Sequence, residues 1–324
     1  MDSIKARNGA GIIINNWLSV NNSSHVLIVT DTTHTDEALL LKDIAAEKGC
    51  KTDIFTTNQS GKLVGIYFDE NPDAFSDYDV IIGATDYSLV TTLAAKRAIS
   101  DGKSFLSLPL HTNDGRSMLE YDFLNCNTQN SKTVAEKLIS KLHNAHTIHV
   151  TTQRGTNLYF YKKDRHAKFF NGNVKDCNGY SSASIEVYVP IQEDKTHGTL
   201  CLDGSYGYAG RVETPFMVTF NKGRITHIED SPYGKVLKDF LDDYCDEMMY
   251  TASEFGIGLN PLSYCNGNCY IEDESALGTF HIGLGRNLAL GGIWEASGHF
   301  DLTTFSPDIY ADDEKIIEKG KIII

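Results

Sequence analysis

The chain has 324 residues, with 43 acidic and 29 basic side chains and a formal charge of −14. This charge disfavours a nucleic-acid partner, because phosphate binding needs a basic surface. No apolar run is long enough to cross a membrane, and the first residues lack the apolar core of a signal peptide. Seven cysteines, an odd number, are read as reduced thiols, which predicts a cytoplasmic protein.

The first part of the chain predicts an α/β domain over residues 1–145, a doubly wound parallel sheet. Short apolar, β-branched runs typical of buried parallel strands alternate with segments of helical spacing. The predicted strands are 25–30, 52–57, 79–83 and 104–108, and the predicted helices are 36–48, 88–100 and 131–145. The loop after the first strand, DTTHTD, carries no dinucleotide or P-loop fingerprint, so we expect a Rossmann-like scaffold without a nucleotide.

Residues 146–324 predict an α+β domain whose sheet is mainly antiparallel. Short segments of alternating hydrophobicity follow one another, and Asn221–Arg224 has the composition of a hairpin turn between two of them. One long helix is predicted over residues 234–255, with Glu254 at its end. A negative charge at a helix C-terminus is mildly unfavourable, so this glutamate is a candidate functional residue.

The stretch from Gly278 to Asp301 holds the strongest chemical signal. It contains His281 and a His299-x-Asp301 pair, whose side chains point to the same face if they lie on a strand. Two histidines and a carboxylate form the ligand set of a known class of metal site. The alternative is two ordinary histidines in a glycine-rich β segment.

Two glutamates extend this set. Glu186 begins an otherwise apolar alternation, so its carboxylate is expected to point inward, and Glu254 lies beside two glycines. Buried carboxylates need a partner, because an unpaired charge in a core is very costly. Together with the two histidines and Asp301 they would suit one or two divalent metals if they converge. For each glutamate alone, a surface or capping carboxylate is the alternative.

The chain resembles a family of bacterial metal enzymes that includes 2,5-dihydroxypyridine 5,6-dioxygenase and, more distantly, the leucyl-aminopeptidase-type metallopeptidases. The resemblance rests on blocks in the same order along most of the chain rather than on one motif. These blocks span residues 77–89 and 102–109, then R-G-T-N-L (154–158), E-V-Y-V-P (186–190), residues 198–205, E-F-G-I-G-L-N-P (254–261), residues 272–285 and S-G-H-F-D (297–301).

The resemblance implies a metal centre at Glu186, Glu254, His281, His299 and Asp301. In the dioxygenase branch the metal is Fe(II), held chiefly by the two histidines and the aspartate. In the peptidase branch all five residues serve a two-metal hydrolytic centre, with Zn, Co or Mn as the metals. The resemblance also suggests a homo-oligomer.

Three positions depart from the family pattern. Ile185 replaces a glycine before the first glutamate, which puts Glu186 in doubt as a ligand, and Asn157 replaces an acidic residue. Leu288 stands where the peptidases carry a tyrosine. The absence of the tyrosine hydroxyl removes a hydrogen-bond donor and weakens the peptidase interpretation.

Three functions remain open. The first is a non-haem Fe(II) dioxygenase that opens a small hydroxylated or nitrogen-containing ring, with Glu254 handling protons and Arg286 holding an anionic group of the substrate. The second is an aminopeptidase-like metallohydrolase that acts on a short peptide. The third is a metal-free binding or scaffold protein that has kept the fold.

Overall fold

The computed structural model describes residues 3–18, 20–59 and 61–324. In this part of the chain the α-helices are α1 (Ser3–Ile12), α2 (Thr35–Glu47), α3 (Ile66–Glu70), α4 (Leu93–Ser100), α5 (Thr128–His143), α6 (Pro232–Asp242) and α7 (Tyr270–Ser275). The strands are β1 (His25–Asp31), β2 (Lys51–Thr57), β3 (Val80–Ala84), β4 (Ser104–Ser107), β5 (Thr147–Thr151), β6 (Asn157–Tyr161), β7 (Lys168–Asn171), β8 (Tyr180–Ser182), β9 (Ile185–Pro190), β10 (His197–Leu202), β11 (Phe216–Asn221), β12 (Arg224–Ile228), β13 (Ala252–Gly258), β14 (Thr279–Gly285), β15 (His299–Phe305), β16 (Asp308–Ala311), β17 (Glu314–Glu318) and β18 (Lys321–Ile322). None of the described helices is long and apolar enough to span a membrane.

The fold is mixed α/β, with one parallel and two antiparallel sheets distributed over two compact units. The first unit comprises Met1–Thr128 and Phe170–Ser184, and the second comprises Gln129–Phe169 and Ile185–Ile324. The predicted boundary at residue 145 does not coincide with this division. Helix α5, which was expected to close the first domain, belongs to the second unit except for its first residue.

The first unit is built on a five-stranded sheet in the order β2-β1-β3-β4-β8, and the strand pairs within it are parallel. Strand β1 is buried from Val26 to Asp31, as its apolar run predicts for the middle of a parallel sheet. The predicted strands and helices of this region are found, although α4 starts later than predicted, at Leu93. Its N-cap is Thr92, whose hydroxyl accepts a hydrogen bond from the backbone of Ala95.

The second unit contains two antiparallel sheets. One runs in the order β12-β11-β10-β6-β5-β16-β17-β18, and the other contains β15-β14-β13-β9. The predicted hairpin at Asn221–Arg224 joins β11 to β12, and Lys222 and Gly223 both take positive φ angles there. The ring of Phe255 lies 5.3 Å from that of Phe160 in the larger sheet and 6.2 Å from that of Phe280 on the neighbouring strand β14. One face of the smaller sheet therefore packs into a core.

The predicted long helix over residues 234–255 is wrong. Helix α6 ends at Asp242, and Cys245 takes a φ of 51°, which an α-helix cannot continue through. After a short 3-10 helix the chain enters β13, which pairs with β9 on one side and β14 on the other. Glu254 is therefore a strand residue, and the helix-terminus argument for it does not hold.

Candidate metal centre

The centre is built on one face of the smaller antiparallel sheet. In β13 this face carries Glu254, Gly256 and Gly258, and in β14 it carries a histidine followed by two glycines at the same spacing. Across the sheet, each predicted ligand lies opposite a glycine of the neighbouring strand. The pairs are Glu186 with Gly258, Glu254 with Gly283, His281 with Gly256, Asp301 with Gly283, and His299 with Gly285.

Two of the glycines leave space that the side chains of the predicted ligands occupy. A Cβ atom added to Gly256 would lie 1.8 Å from Nε2 of His281. A Cβ atom added to Gly283 would lie 2.7 Å from both Cβ of Glu254 and Cε1 of His299. Any other residue at these two positions would therefore collide with the side chains that the sequence predicts as ligands.

The five predicted ligands converge into two groups that share Glu254. Glu186, Glu254 and His281 form one group, and Glu254, His299 and Asp301 form the other; within each group one ligand atom per residue lies within 4.8 Å of the others. Nε2 of His281 lies 2.7 Å from Oε2 of Glu186. Nε2 of His299 lies 3.0 Å from Oε2 of Glu254 and 3.6 Å from Oδ1 of Asp301.

Burial and charge shift the pKa values of these groups strongly. Burial raises the pKa of Glu254 to about 7, although its hydrogen bond to His299 opposes the rise. Burial alone would lower the pKa of His281, but the charge of Glu186 and a hydrogen bond to it outweigh this and raise the pKa to about 9. The charge of His299 holds the pKa of Asp301 below its usual range, against the effect of burial. Neighbouring charges thus favour the charged forms of His281 and Asp301, whereas burial outweighs them at Glu254.

The ring of His299 is oriented by the backbone. Its Nδ1 lies 2.8 Å from the carbonyl oxygen of Arg286, so Nδ1 donates a proton and Nε2 faces Glu254 and Asp301. A backbone partner of this kind is typical of metal-binding histidines. Arg286, predicted as a catalytic residue, follows directly after β14 and is half-buried. Its backbone N–H donates a hydrogen bond to the carbonyl oxygen of Gly298 at 2.7 Å.

The segment that carries Arg286 is anchored by a part-buried ion pair. Arg165 makes a bidentate contact with Glu193, at 2.8 and 2.6 Å. Oε1 of the same carboxylate accepts hydrogen bonds from the side chain of Asn287 at 2.9 Å and from the backbone of Ile293 at 3.1 Å. Asn287 and Ile293, at the start and in the middle of the segment after β14, are thereby both bound to the carboxylate of Glu193.

Helix α7 supplies two residues that the sequence did not single out. The hydroxyl of Tyr270 donates a hydrogen bond to Oδ2 of Asp301. Glu274 is fully buried, and burial together with the charges of Asp301 and Glu186 raises its pKa well above the usual value. Every residue of this acidic helix is buried, although its composition is typical of a solvated face.

The three departures from the family pattern have different consequences. Ile185 is buried at the start of β9, and its backbone N–H donates to the hydroxyl of Ser275 at 3.0 Å; Glu186 still reaches His281. Asn157 lies on β6, where its side chain contacts Nε2 of His149 at 2.8 Å. Leu288 begins a short 3-10 helix and brings no hydrogen-bonding group.

The donor set suits a divalent metal. It combines imidazole nitrogens with carboxylate oxygens, which zinc, iron, cobalt and manganese all accept. Oδ1 of Asp301 is buried and has no hydrogen-bond partner among the described residues, so this oxygen is available to bind an ion. Four buried acids beside two histidines fit a bound cation better than a core without one; the acids are Glu186, Glu254, Glu274 and Asp301.

The family model for 2,5-dihydroxypyridine 5,6-dioxygenase matches residues 120–324, which include all five predicted ligands. The curated 2,5-dihydroxypyridine 5,6-dioxygenase of Pseudomonas putida KT2440 is 27% identical over 147 residues, 40% of this chain and 41% of the relative. The match thus spans well under half of that relative's length. The resemblance to this family that the ordered sequence blocks suggested is confirmed.

Two solved structures share the fold. The 2,5-dihydroxypyridine dioxygenase of Pseudomonas putida KT2440 aligns with a TM-score of 0.78 and 17% identity, over 100% of this chain and 98% of that one. AmpT of Thermus thermophilus aligns with a TM-score of 0.67 and 14% identity, over 100% of both chains. At these identities the likeness concerns the fold alone.

Proposed function

Because the chain belongs to the 2,5-dihydroxypyridine 5,6-dioxygenase family, we propose that it is a non-haem iron(II) dioxygenase. Its substrate would be a small hydroxylated or nitrogen-containing ring, which the enzyme opens. The observation that carries the proposal is the buried group of Glu254, His299 and Asp301 within the matched region. The set has the nitrogen and oxygen donors of known non-haem iron sites.

The residues that would hold the metal are His299, Asp301 and Glu254. His281, which the family pattern also implies as a ligand, belongs to the neighbouring group with Glu186 and Glu254. Iron(II) bound by a few protein ligands supplies open positions for a hydroxylated ring and for O2. The backbone contact of His299 with Arg286 supports this assignment, because it directs Nε2 towards the two carboxylates.

Proton transfer and substrate binding would fall to Glu254 and Arg286. Glu254 belongs to both ligand groups, and a carboxylate oxygen that does not bind the metal could take up a proton from a ring hydroxyl and return it. The guanidinium of Arg286 would hold an anionic oxygen of the ring, for which its planar fork is suited. Arg286 precedes the anchored residue Asn287, which limits its movement.

The proposal is tested with protein purified anaerobically and loaded with iron(II). We expect oxygen uptake with 2,5-dihydroxypyridine or a related hydroxypyridine, and its loss in the His299→Ala variant. His227→Ala, which removes an exposed histidine of β12, is the matched control and should keep full activity. Iron-loaded protein that consumes no oxygen with any hydroxylated ring would contradict the proposal.

A metal-dependent hydrolase is the second candidate. The two ligand groups that share Glu254 favour it, because a carboxylate between two cations is the arrangement of two-metal hydrolytic sites. Zinc, cobalt or manganese would then replace iron. We expect such an enzyme to bind two ions per chain and to release p-nitroaniline from aminoacyl anilides, an activity that Glu254→Ala should abolish. A chain that binds no metal after reconstitution would instead fit the scaffold interpretation.

The cytoplasmic location and homo-oligomeric state stay predictions, as does the substrate, a small molecule or a short peptide. Light scattering during gel filtration measures the oligomeric state directly. A monomer at micromolar concentration would contradict the predicted assembly without bearing on the metal centre.

A further inference from the structure

The two carboxylate oxygens of Asp301 have different surroundings. Oδ2 accepts a hydrogen bond from the hydroxyl of Tyr270. Oδ1 is buried, has no hydrogen-bond partner among the described residues, and lies 3.6 Å from Nε2 of His299. One oxygen is thus held by the protein, while the other faces the side chains proposed to bind the metal.

Tyr270 is itself held firmly. It is the first residue of α7 and is buried, and its ring stacks on that of Tyr208 with centroids 4.1 Å apart and planes at 28°. A Cβ atom added to Gly207 would lie 3.2 Å from Cδ2 of Tyr270, which shows how closely the backbone covers the ring. The hydroxyl can therefore be expected to keep one position relative to Asp301.

We propose that Tyr270 is a positioning residue that makes Asp301 a monodentate ligand through Oδ1. The inference rests on the proposed metal centre and goes beyond it, because it assigns a role to a residue that binds neither metal nor substrate. A carboxylate without this hydrogen bond is free to rotate and to offer both oxygens to one ion. Outer partners of this kind set the orientation of metal ligands, and their removal typically weakens metal binding about 10- to 100-fold.

The test compares Tyr270→Phe with Tyr206→Phe. Tyr206 is also buried in the same unit, but its hydroxyl donates to the backbone carbonyl of Tyr233 at 3.0 Å instead of to a proposed ligand. Both variants lose the hydrogen bond of one tyrosine hydroxyl, buried for Tyr270 and part-buried for Tyr206, and we expect small losses of thermal stability in the metal-free protein. Only Tyr270→Phe should bind Co(II) about 10- to 100-fold more weakly in calorimetry and change its visible absorption spectrum.

A double-mutant cycle separates positioning from a general structural effect. In an Asp301→Ala background, Tyr270→Phe should cause no further loss of Co(II) affinity, because the carboxylate that it orients is absent. Wild-type protein that binds Co(II), together with a Tyr270→Phe variant of equal affinity and spectrum, would overturn this proposal alone. Wild-type protein that binds no metal would overturn both this proposal and the proposed function.

Discussion

Replacing Gly256 with alanine should displace His281 from the group that it forms with Glu186 and Glu254. The new Cβ atom would lie 1.8, 2.3 and 2.6 Å from Nε2, Cε1 and Cδ2 of His281, whereas ordinary contacts begin at 3.4 Å. The ring or the strand must therefore move by about 1.6 Å, the difference between 3.4 and 1.8 Å. A shift of this size breaks the 2.7 Å contact between His281 and Glu186 and disturbs Glu254, the residue that this group shares with the proposed iron ligands.

The expected losses are of two kinds. Overpacking a buried site typically costs about 1 to 3 kcal/mol of unfolding free energy, which chemical denaturation measures. Disturbing Glu254 should also weaken metal binding by about 10- to 100-fold in calorimetry, the usual effect of losing an outer partner of a ligand. Gly83→Ala is the control, because Gly83 also lies in a buried strand but its added Cβ would meet Leu89 at 3.5 Å, an ordinary contact.

Folded Gly256→Ala protein that binds metal as tightly as both wild type and the Gly83→Ala control would refute this prediction. That result would mean that the face of β13 and β14 has room for a methyl group, and that the glycines do not serve the site. Circular dichroism of the metal-free variant establishes first that the chain is folded.

Three further outcomes follow from buried charges. Arg165→Ala should cost about 1 to 3 kcal/mol in denaturant unfolding, because the buried carboxylate of Glu193 then keeps only its hydrogen bonds from Asn287 and Ile293. Removing the exposed Arg97 should cost less than about 1 kcal/mol, and equal losses would contradict this. Burial lowers the pKa of His34, but hydrogen bonds to acidic neighbours raise it to about 9, so its stabilising effect is full below pH 6.5 and disappears as the pH rises through 9. His34→Gln should thus be less stable than wild type by up to about 3 kcal/mol at pH 6 and equal to it by pH 10, as thermal unfolding will show. Glu254→Gln should lose metal from both ligand groups, and metal analysis that still finds wild-type content would contradict its shared position.

The parallel sheet could be predicted from the sequence because its signals are local. An apolar run such as Val26–Val29 is buried on both sides in a parallel sheet, and the following helix begins and ends within a few residues of its pattern. The hairpin at Lys222 and Gly223 is local in the same sense, since its two residues supply the positive φ angles of a tight turn.

Glu254 shows where such reasoning fails. Residues 244–255 contain apolar side chains at helical spacing, but their partners in β9 and β14 lie far away in the chain, and pairing with both strands decides the conformation. Tertiary pairing of this kind overrides local propensity. A signal was nevertheless present, because Glu-x-Gly-x-Gly and His-x-Gly-x-Gly each place one functional side chain and two glycines on the same face of a strand.

The residues of α7 could not have been found in this way. Three of its six residues, Glu272, Asp273 and Glu274, are acidic, and an acidic segment in a sequence is normally solvated. Its burial depends on contacts with several strands and with Tyr208, none of which has a local signature. The resemblance to the family supplied the predicted ligands, whereas only the fold locates the side chain that contacts Asp301.

The position of Glu254 between the two groups means that the number of bound ions separates the two candidate functions better than the identity of the ligands does. One ion held by Glu254, His299 and Asp301 leaves Glu186 paired with His281 at 2.7 Å, as a neighbouring carboxylate–imidazole pair. Glu186→Gln should then keep one ion per chain and its oxygen uptake. Two ions would use both groups, and the same variant should fall from two ions to one and lose hydrolysis. Metal analysis of Glu186→Gln beside wild type therefore distinguishes the dioxygenase from the hydrolase before any substrate is identified.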